Sequence, residues 1–124
     1  MNNDMLKKIL IIDDNEVHLV IAGNILKDKY DVITAKSGKE ALALLSRGLV
    51  PNAILLDVLM PELDGQETFN KIKGISLLRN VPISFLTYFE GMKEKLYTSE
   101  TGLKTIPYES EELLDRIYKM MEAD

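Results

Sequence analysis

Short apolar runs alternate along this chain with longer stretches whose apolar residues fall at helical spacing. The runs are residues 9–12 (Ile-Leu-Ile-Ile), 31–35 (Asp-Val-Ile-Thr-Ala), 53–56 (Ala-Ile-Leu-Leu), 82–87 and 103–106. The first and third have no polar alternation and are too short for helices, so they predict strands buried on both faces. Pro82 opens the fourth run, where a missing N–H is tolerated, and Gly102 and Pro107 flank the fifth.

The intervening stretches predict helices. The first spans about residues 16–29, with Val20, Ala22, Ile25 and Leu26 near helical spacing and Asp14 or Asn15 as its cap. Ser37-Gly38-Lys39-Glu40 is a capping box, and the helix it opens carries Ala41, Leu44 and Leu45 and stops at Gly48. A third helix runs from Gly65 to about Lys73 with Phe69 and Ile72 as apolar positions, and Leu77-Leu78 is an apolar link. Residues 90–98 form a poorly marked helix in which only Met92, Leu96 and Tyr97 are apolar. The last, about Ser110–Glu122, places Leu114, Ile117, Tyr118 and Met121 at i, i+3, i+4, i+7.

Strand and helix thus alternate five times. This predicts an α/β fold: a parallel five-stranded sheet, doubly wound in the order 2-1-3-4-5, with helices on both faces. Such sheets bind ligands outside the carboxyl ends of their strands, where the strand order reverses. At 124 residues the chain is read as one domain, 1–124, with its core over about 7–122.

Composition narrows the function classes. The net charge of −5 and pI near 4.9 argue against direct nucleic-acid binding. The absence of cysteine excludes disulfides and thiolate metal sites and fits a cytoplasmic protein. The first residues carry no signal-peptide pattern, and no apolar run approaches a membrane span. The chain stops just after the last helix, so no DNA-binding domain is expected to follow.

The predicted strand ends carry the chemistry. Asp13 and Asp14 follow the first strand, Asp57 ends the third at what is expected to be a solvated edge, and Thr87 ends the fourth. Three crowded carboxylates repel, and a hard divalent cation with oxygen ligands relieves the repulsion. Mg²⁺, or Mn²⁺, suits one or two direct carboxylates with several retained waters. Asp13-Asp14 also reads as a helix cap with a spare charge, and Thr87 as an ordinary strand-end residue. His18, the sole histidine, reads as a helix-surface residue.

After Asp57 come Met60, Pro61, Asp64 and Gly65. This D-x-x-M-P-x-x-D-G segment resembles the phosphoacceptor signature of response-regulator receiver domains, which have the flavodoxin-like form of the fold. The resemblance implies that Asp57 accepts a phosphoryl group. It implies that Asp14, Asp57 and the backbone carbonyl of Leu59 bind the metal directly and that Asp13 acts through water. The Thr87 hydroxyl is then expected to hydrogen-bond a phosphoryl oxygen. Resemblance also implies a cis peptide before Pro107.

The fifth strand departs from the family. Receivers place a lysine before the proline, and here that residue is Ile106, which can neither donate nor carry charge. The aromatic switch position is Leu103, and the small residue after the threonine is Tyr88. Lys104 lies two residues before Ile106 and is a candidate substitute cation.

The function implied is a two-component response regulator, a signalling domain rather than an enzyme. Its partners would be a sensor histidine kinase or phosphotransfer protein and a downstream protein target, with no membrane or nucleic-acid contact, as a monomer or weak homodimer. Ile106 and Leu103 also support an atypical receiver acting as a phosphorylation-independent binding module. A metal-dependent phosphohydrolase using Asp57 lacks a candidate second acid or base.

Overall fold

The computed structural model describes residues 6–57, 65–87, 105–107 and 110–122. Five parallel strands form one sheet: β1 (Lys8–Ile12), β2 (Asp31–Ala35), β3 (Ala53–Asp57), β4 (Ile83–Thr87) and β5 (Thr105–Pro107). Their order is β2-β1-β3-β4-β5, as the alternating pattern predicts. The described helices are α1 (Glu16–Leu26), α2 (Gly38–Ser46), α3 (Gly65–Lys73) and a C-terminal helix (Ser110–Glu122), with a 3-10 turn at Ser76–Leu78.

Strand side chains alternate between the two faces, and the core divides accordingly. Leu10, Ile12, Ile54, Leu56, Ile83 and Phe85 join Ala41 and Leu45 of α2 and Ile72 of α3 in one cluster. Ile9, Ile11, Ala53 and Leu55 join Leu19, Ala22 and Leu26 of α1 and Ile117 of the C-terminal helix in the other. Truncating one of the fully buried leucines, such as Leu55, to alanine removes about 2–5 kcal/mol of stability. Across the second face the Ser84 hydroxyl meets the Met120 sulfur at 3.2 Å.

The helix ends follow from local chemistry. Asn15, not Asp14, caps α1, accepting from the His18 amide at 3.1 Å. Ser37 accepts from the Glu40 amide at 3.0 Å. Gly48 takes φ 105°, which lets its amide reach the Leu45 carbonyl and the Leu49 amide reach that of Leu44. That pair of bonds closes α2 and requires the left-handed glycine.

Several expectations are corrected. Helix α1 ends at Leu26 instead of running to 29, because the Lys29 and Tyr30 amides both fold back onto the Leu26 carbonyl. It buries Leu19, Ala22 and Leu26 and leaves Val20 outside. Tyr118 is likewise exposed, although it falls on the apolar spacing of its helix. Strand β5 occupies Thr105–Pro107, displaced from the expected 103–106, because its ladder pairs Phe85 with Thr105, Leu86 with Ile106 and Thr87 with Pro107. Leu103 and Lys104 lie outside the described residues, as does the helix expected at 90–98. Among the described residues no peptide is cis, so the Ile106–Pro107 bond is trans. Trans is the lower-energy form by about 0.5–1 kcal/mol even before proline, and here Pro107 continues the pairing of β5.

Candidate functional site

The register of β1 and β3 brings the acidic residues together. Ile11 pairs with Leu55 and Ile12 with Leu56. One residue further, the same register sets Asp13 beside Asp57. Asp13 shares the parity of Ile9 and Ile11, and Asp57 that of Ala53 and Leu55, so both belong to the sheet face covered by α1. Asp14 follows on the turn into α1. Carboxylate oxygens of Asp13, Asp14 and Asp57 all lie within 4.8 Å of one another.

Burial corrects the sequence reading here. Asp57 was expected at a solvated edge, yet it is 2% exposed, and Asp13 is 0% exposed. Only Asp14 faces solvent. Helix α1 begins at Glu16, shortly after β1, and packs over this face of the sheet. A buried carboxylate needs partners, and Asp13 has them. Its Oδ1 accepts from the Asn15 amide at 2.9 Å, and its Oδ2 lies 3.4 Å from His18 Nδ1.

The contact of His18 with Asp13 departs from the surface position that the helix pattern predicts for His18. A signal was present. With Asn15 as cap, position 18 is the third of the helix, and a side chain there turns back toward the cap.

Beside the cluster, Glu16 at the start of α1 pairs with Lys36, which follows β2. The hydrogen bond from Lys36, and then its charge, lower the Glu16 pKa from its usual value. The same two effects of Glu16 raise that of Lys36. Both groups are largely exposed, so the pair contributes little to stability.

Thr87 is the residue after Leu86, and Leu86 pairs with Asp57, so its backbone sits at the same edge of the sheet. Ile106 and Pro107 pair with Leu86 and Thr87 from the β5 side. The positions expected to carry the aspartate, threonine and pre-proline roles are therefore on adjacent strand ends. Leu59 and Tyr88 lie outside the described residues.

The donor set is chemically coherent. Three carboxylates within a few ångströms, two of them shielded from water, repel one another strongly when ionised. Oxygen donors alone, with no sulfur, suit a hard divalent cation. Asp13, Asp14 and Asp57 are the described residues that could hold one.

Comparison with known proteins agrees with this geometry. The sequence profile of the response regulator receiver domain matches residues 9–117. Protein PilG of Pseudomonas aeruginosa is 36% identical over 114 residues, covering 89% of this chain and 84% of that protein. The alkaline phosphatase synthesis transcriptional regulatory protein PhoP of Bacillus subtilis is 35% identical over 117 residues, 91% of this chain. Response regulator PleD of Caulobacter vibrioides is 34% identical over 99 residues. The chain spans 48% of PhoP and 22% of PleD, so it corresponds to one part of those longer relatives. Among solved structures, a putative response regulator from Chloroflexus aurantiacus superposes with a TM-score of 0.84 at 28% identity, covering 94% of this chain and 98% of that one. Chemotaxis protein CheY4 of Vibrio cholerae gives a TM-score of 0.80 at 28% identity, covering 93% and 98%. With the sheet order, the aspartate cluster and these likenesses in agreement, the chain belongs to the response regulator receiver family.

Proposed function

We propose that the domain accepts a phosphoryl group on Asp57 from a phosphohistidine of a sensor kinase or phosphotransfer protein. The observation that carries this is the placement of Asp57, nearly buried at a strand end with Asp13 and Asp14 within 4.8 Å. An Asp57 carboxylate oxygen attacks phosphorus, the P–N bond of the donor breaks, and the donor imidazole leaves with the bonding pair, taking a proton from solvent. The product is an acyl phosphate on Asp57.

Asp14, Asp57 and the Leu59 carbonyl would hold Mg²⁺ or Mn²⁺, with Asp13 acting through water. The cation, when bound, supplies positive charge against the phosphoryl oxygens, which is the main demand of phosphoryl transfer. The Thr87 hydroxyl hydrogen-bonds one phosphoryl oxygen, and its displacement toward the phosphate starts the conformational signal.

The phosphodonor protein docks on α1. Val17, Val20 and Ile21 are exposed on that helix, whose first turn adjoins the aspartates. They fall at i, i+3 and i+4, which forms one apolar stripe. Output passes to a downstream protein by contact, in the cytoplasm.

Ile106 supports a qualification of rate. A cation is missing where the family places its lysine, so transfer from small donors is slow. If the domain is instead a phosphorylation-independent binding module, Asp57 acquires no phosphoryl group at all. Incubation with a small acyl phosphate and Mg²⁺, followed by intact mass, separates the two. A single phosphoryl addition that is lost in Asp57→Asn is the expected result; no addition overturns the proposal.

A further inference from the structure

His18 is positioned by the same residues that build the aspartate cluster. The Asn15 side chain accepts the His18 amide at 3.1 Å, while the Asn15 amide donates to Asp13 Oδ1 at 2.9 Å. One cap therefore fixes both the histidine backbone and the carboxylate. The His18 ring then lies over the remaining oxygen, with Nδ1 at 3.4 Å from Asp13 Oδ2. The side chain keeps 29% of its surface exposed, but the Nδ1 atom itself is sealed from solvent, and at 3.4 Å it faces Oδ2 at a distance longer than a formed hydrogen bond.

The hydrogen on that atom follows from electrostatics. A neutral imidazole presents either an N–H or a lone pair at Nδ1. A lone pair aimed at a buried carboxylate is repelled, and burial of the atom weakens solvent screening. An N–H is attracted and is strengthened by the ionised acceptor. The favoured tautomer therefore carries its proton on Nδ1, the less common choice for an isolated histidine side chain.

Asp13 also stands in a repulsive neighbourhood, with Asp14 and Asp57 close by. Rotation about the Cβ–Cγ bond would turn its carboxylate away from the other two, and an N–H edge facing Oδ2 opposes that rotation. We propose that His18 is a positioning residue of the metal site: its Nδ1–H faces Asp13 Oδ2 at close range and attracts it, so that the carboxylate favours one orientation toward the cation. This rests on the reading that the aspartates bind a divalent ion. In this role His18 acts as the partner of a ligand, a place where substitution elsewhere costs about 10–100-fold in metal affinity.

The test has a metal-free arm and a metal arm. In the full chain in EDTA, ¹⁵N-edited imidazole NMR reports which nitrogen carries hydrogen. Hydrogen on Nδ1 is the expected result, and a neutral ring with hydrogen on Nε2 alone overturns the proposal. In the metal arm, Mn²⁺ affinity is measured by EPR for the parent, His18→Leu and His18→Asn. The asparagine amide nitrogen reproduces the position of Nδ1, whereas leucine cannot donate. His18→Leu is expected to bind about tenfold more weakly and His18→Asn within about threefold of the parent. Equal affinity for all three overturns the proposal, as does equal weakening in both variants. Parent-like melting of His18→Leu in EDTA is expected; a lowered melting temperature assigns His18 to the fold instead and overturns the proposal. Failure of the parent to bind Mn²⁺ overturns the metal reading, and the NMR arm still reports the tautomer independently.

Discussion

The backbone amide of Asp13 donates to the Ala35 carbonyl at 3.0 Å, one step beyond the last paired residues of β1 and β2, Ile12 and Ala35. The ladder thus continues past β1 and holds the Asp13 backbone in sheet geometry while the chain turns into α1. Its carboxylate is fixed at the rim by a rigid element rather than by a loop, which is the arrangement that keeps ligand geometry tight.

Divalent metal is expected to stabilise the protein. A ligand that binds only the folded state adds about 2.7 kcal/mol at a concentration 100-fold above its Kd. Mg²⁺ is expected to raise the melting temperature accordingly. Asp14→Ala abolishes the rise, and because Asp14 is exposed the variant keeps its fold in EDTA. A parent melting curve indifferent to saturating Mg²⁺ contradicts the site.

Removing one of the crowded charges stabilises the metal-free fold. Two unit charges ~4–5 Å apart repel by several kcal/mol at an effective dielectric near that of protein surfaces. Asp57→Asn removes one while keeping the side-chain shape. In EDTA it is expected to be about 1–2 kcal/mol more stable than the parent by urea denaturation, an advantage that shrinks as Mg²⁺ is added. Lower stability of the variant in EDTA speaks against charge crowding.

Ile106→Lys accelerates phosphorylation. The residue pairs with Leu86, which also pairs with Asp57, so its backbone lies on the same rung of the sheet as Asp57. Loss of an electrostatic donor at a transition state typically costs ~10²–10³ in rate, so the gain is bounded by that range. The rate from a small acyl phosphate, read by intact mass, checks it. No gain means that Lys104 already serves or that Asp57 is not a phosphoacceptor, and Lys104→Ala distinguishes the two by a further fall in rate.

Gly23→Ala stabilises α1. Gly23 lies in the interior of the helix, and a Cβ added there meets nothing within 4 Å. Its φ is helical, so alanine fits the backbone and removes unfolded-state freedom, for a gain of about 0.5–1 kcal/mol. Chemical denaturation of the variant measures it, and a loss of stability refutes the open-space reading.

The Glu16–Lys36 pair gives a weak, salt-sensitive pH dependence. Glu16 titrates below its ordinary value of 4.5, so its contribution is present above that pH and disappears as pH falls through the lowered pKa. Lys36 titrates above 10.5, so its contribution is present below that pH and disappears as pH rises further. Melting temperatures of the parent and Glu16→Gln are expected to differ slightly at neutral pH in low salt. They converge in acid and in 1 M salt, where the Debye length falls to about 3 Å.

The alternation of apolar runs and helical spacing carries the order of elements and the residue types at their ends. Strand β3 and the C-terminal helix are legible with their bounds, because an apolar run ending in aspartate and an i, i+3, i+4, i+7 pattern each have one reading. Asp13, Asp14, Asp57 and Thr87 can be placed at strand ends for the same reason, although that placement alone assigns them no role. Helix α1 was less legible. Val17, Leu19, Val20, Ile21, Ala22, Ile25 and Leu26 put apolar residues on nearly every side, so periodicity cannot select the inward face. Packing against β1, β3 and the C-terminal helix selects Leu19, Ala22 and Leu26 and turns Val20 outward. Burial of Asp57 was also invisible to local pattern, which expects a charged residue to face water. The register between β1 and β3 and the packing of α1 over this face of the sheet place Asp57 beside Asp13 and shield both. The reach of His18 onto Asp13 depends on which of Asp14 and Asn15 caps the helix. Only the three-dimensional chain path settles that, because a shift of one residue in the cap turns position 18 by about a quarter turn and carries the imidazole off the carboxylate.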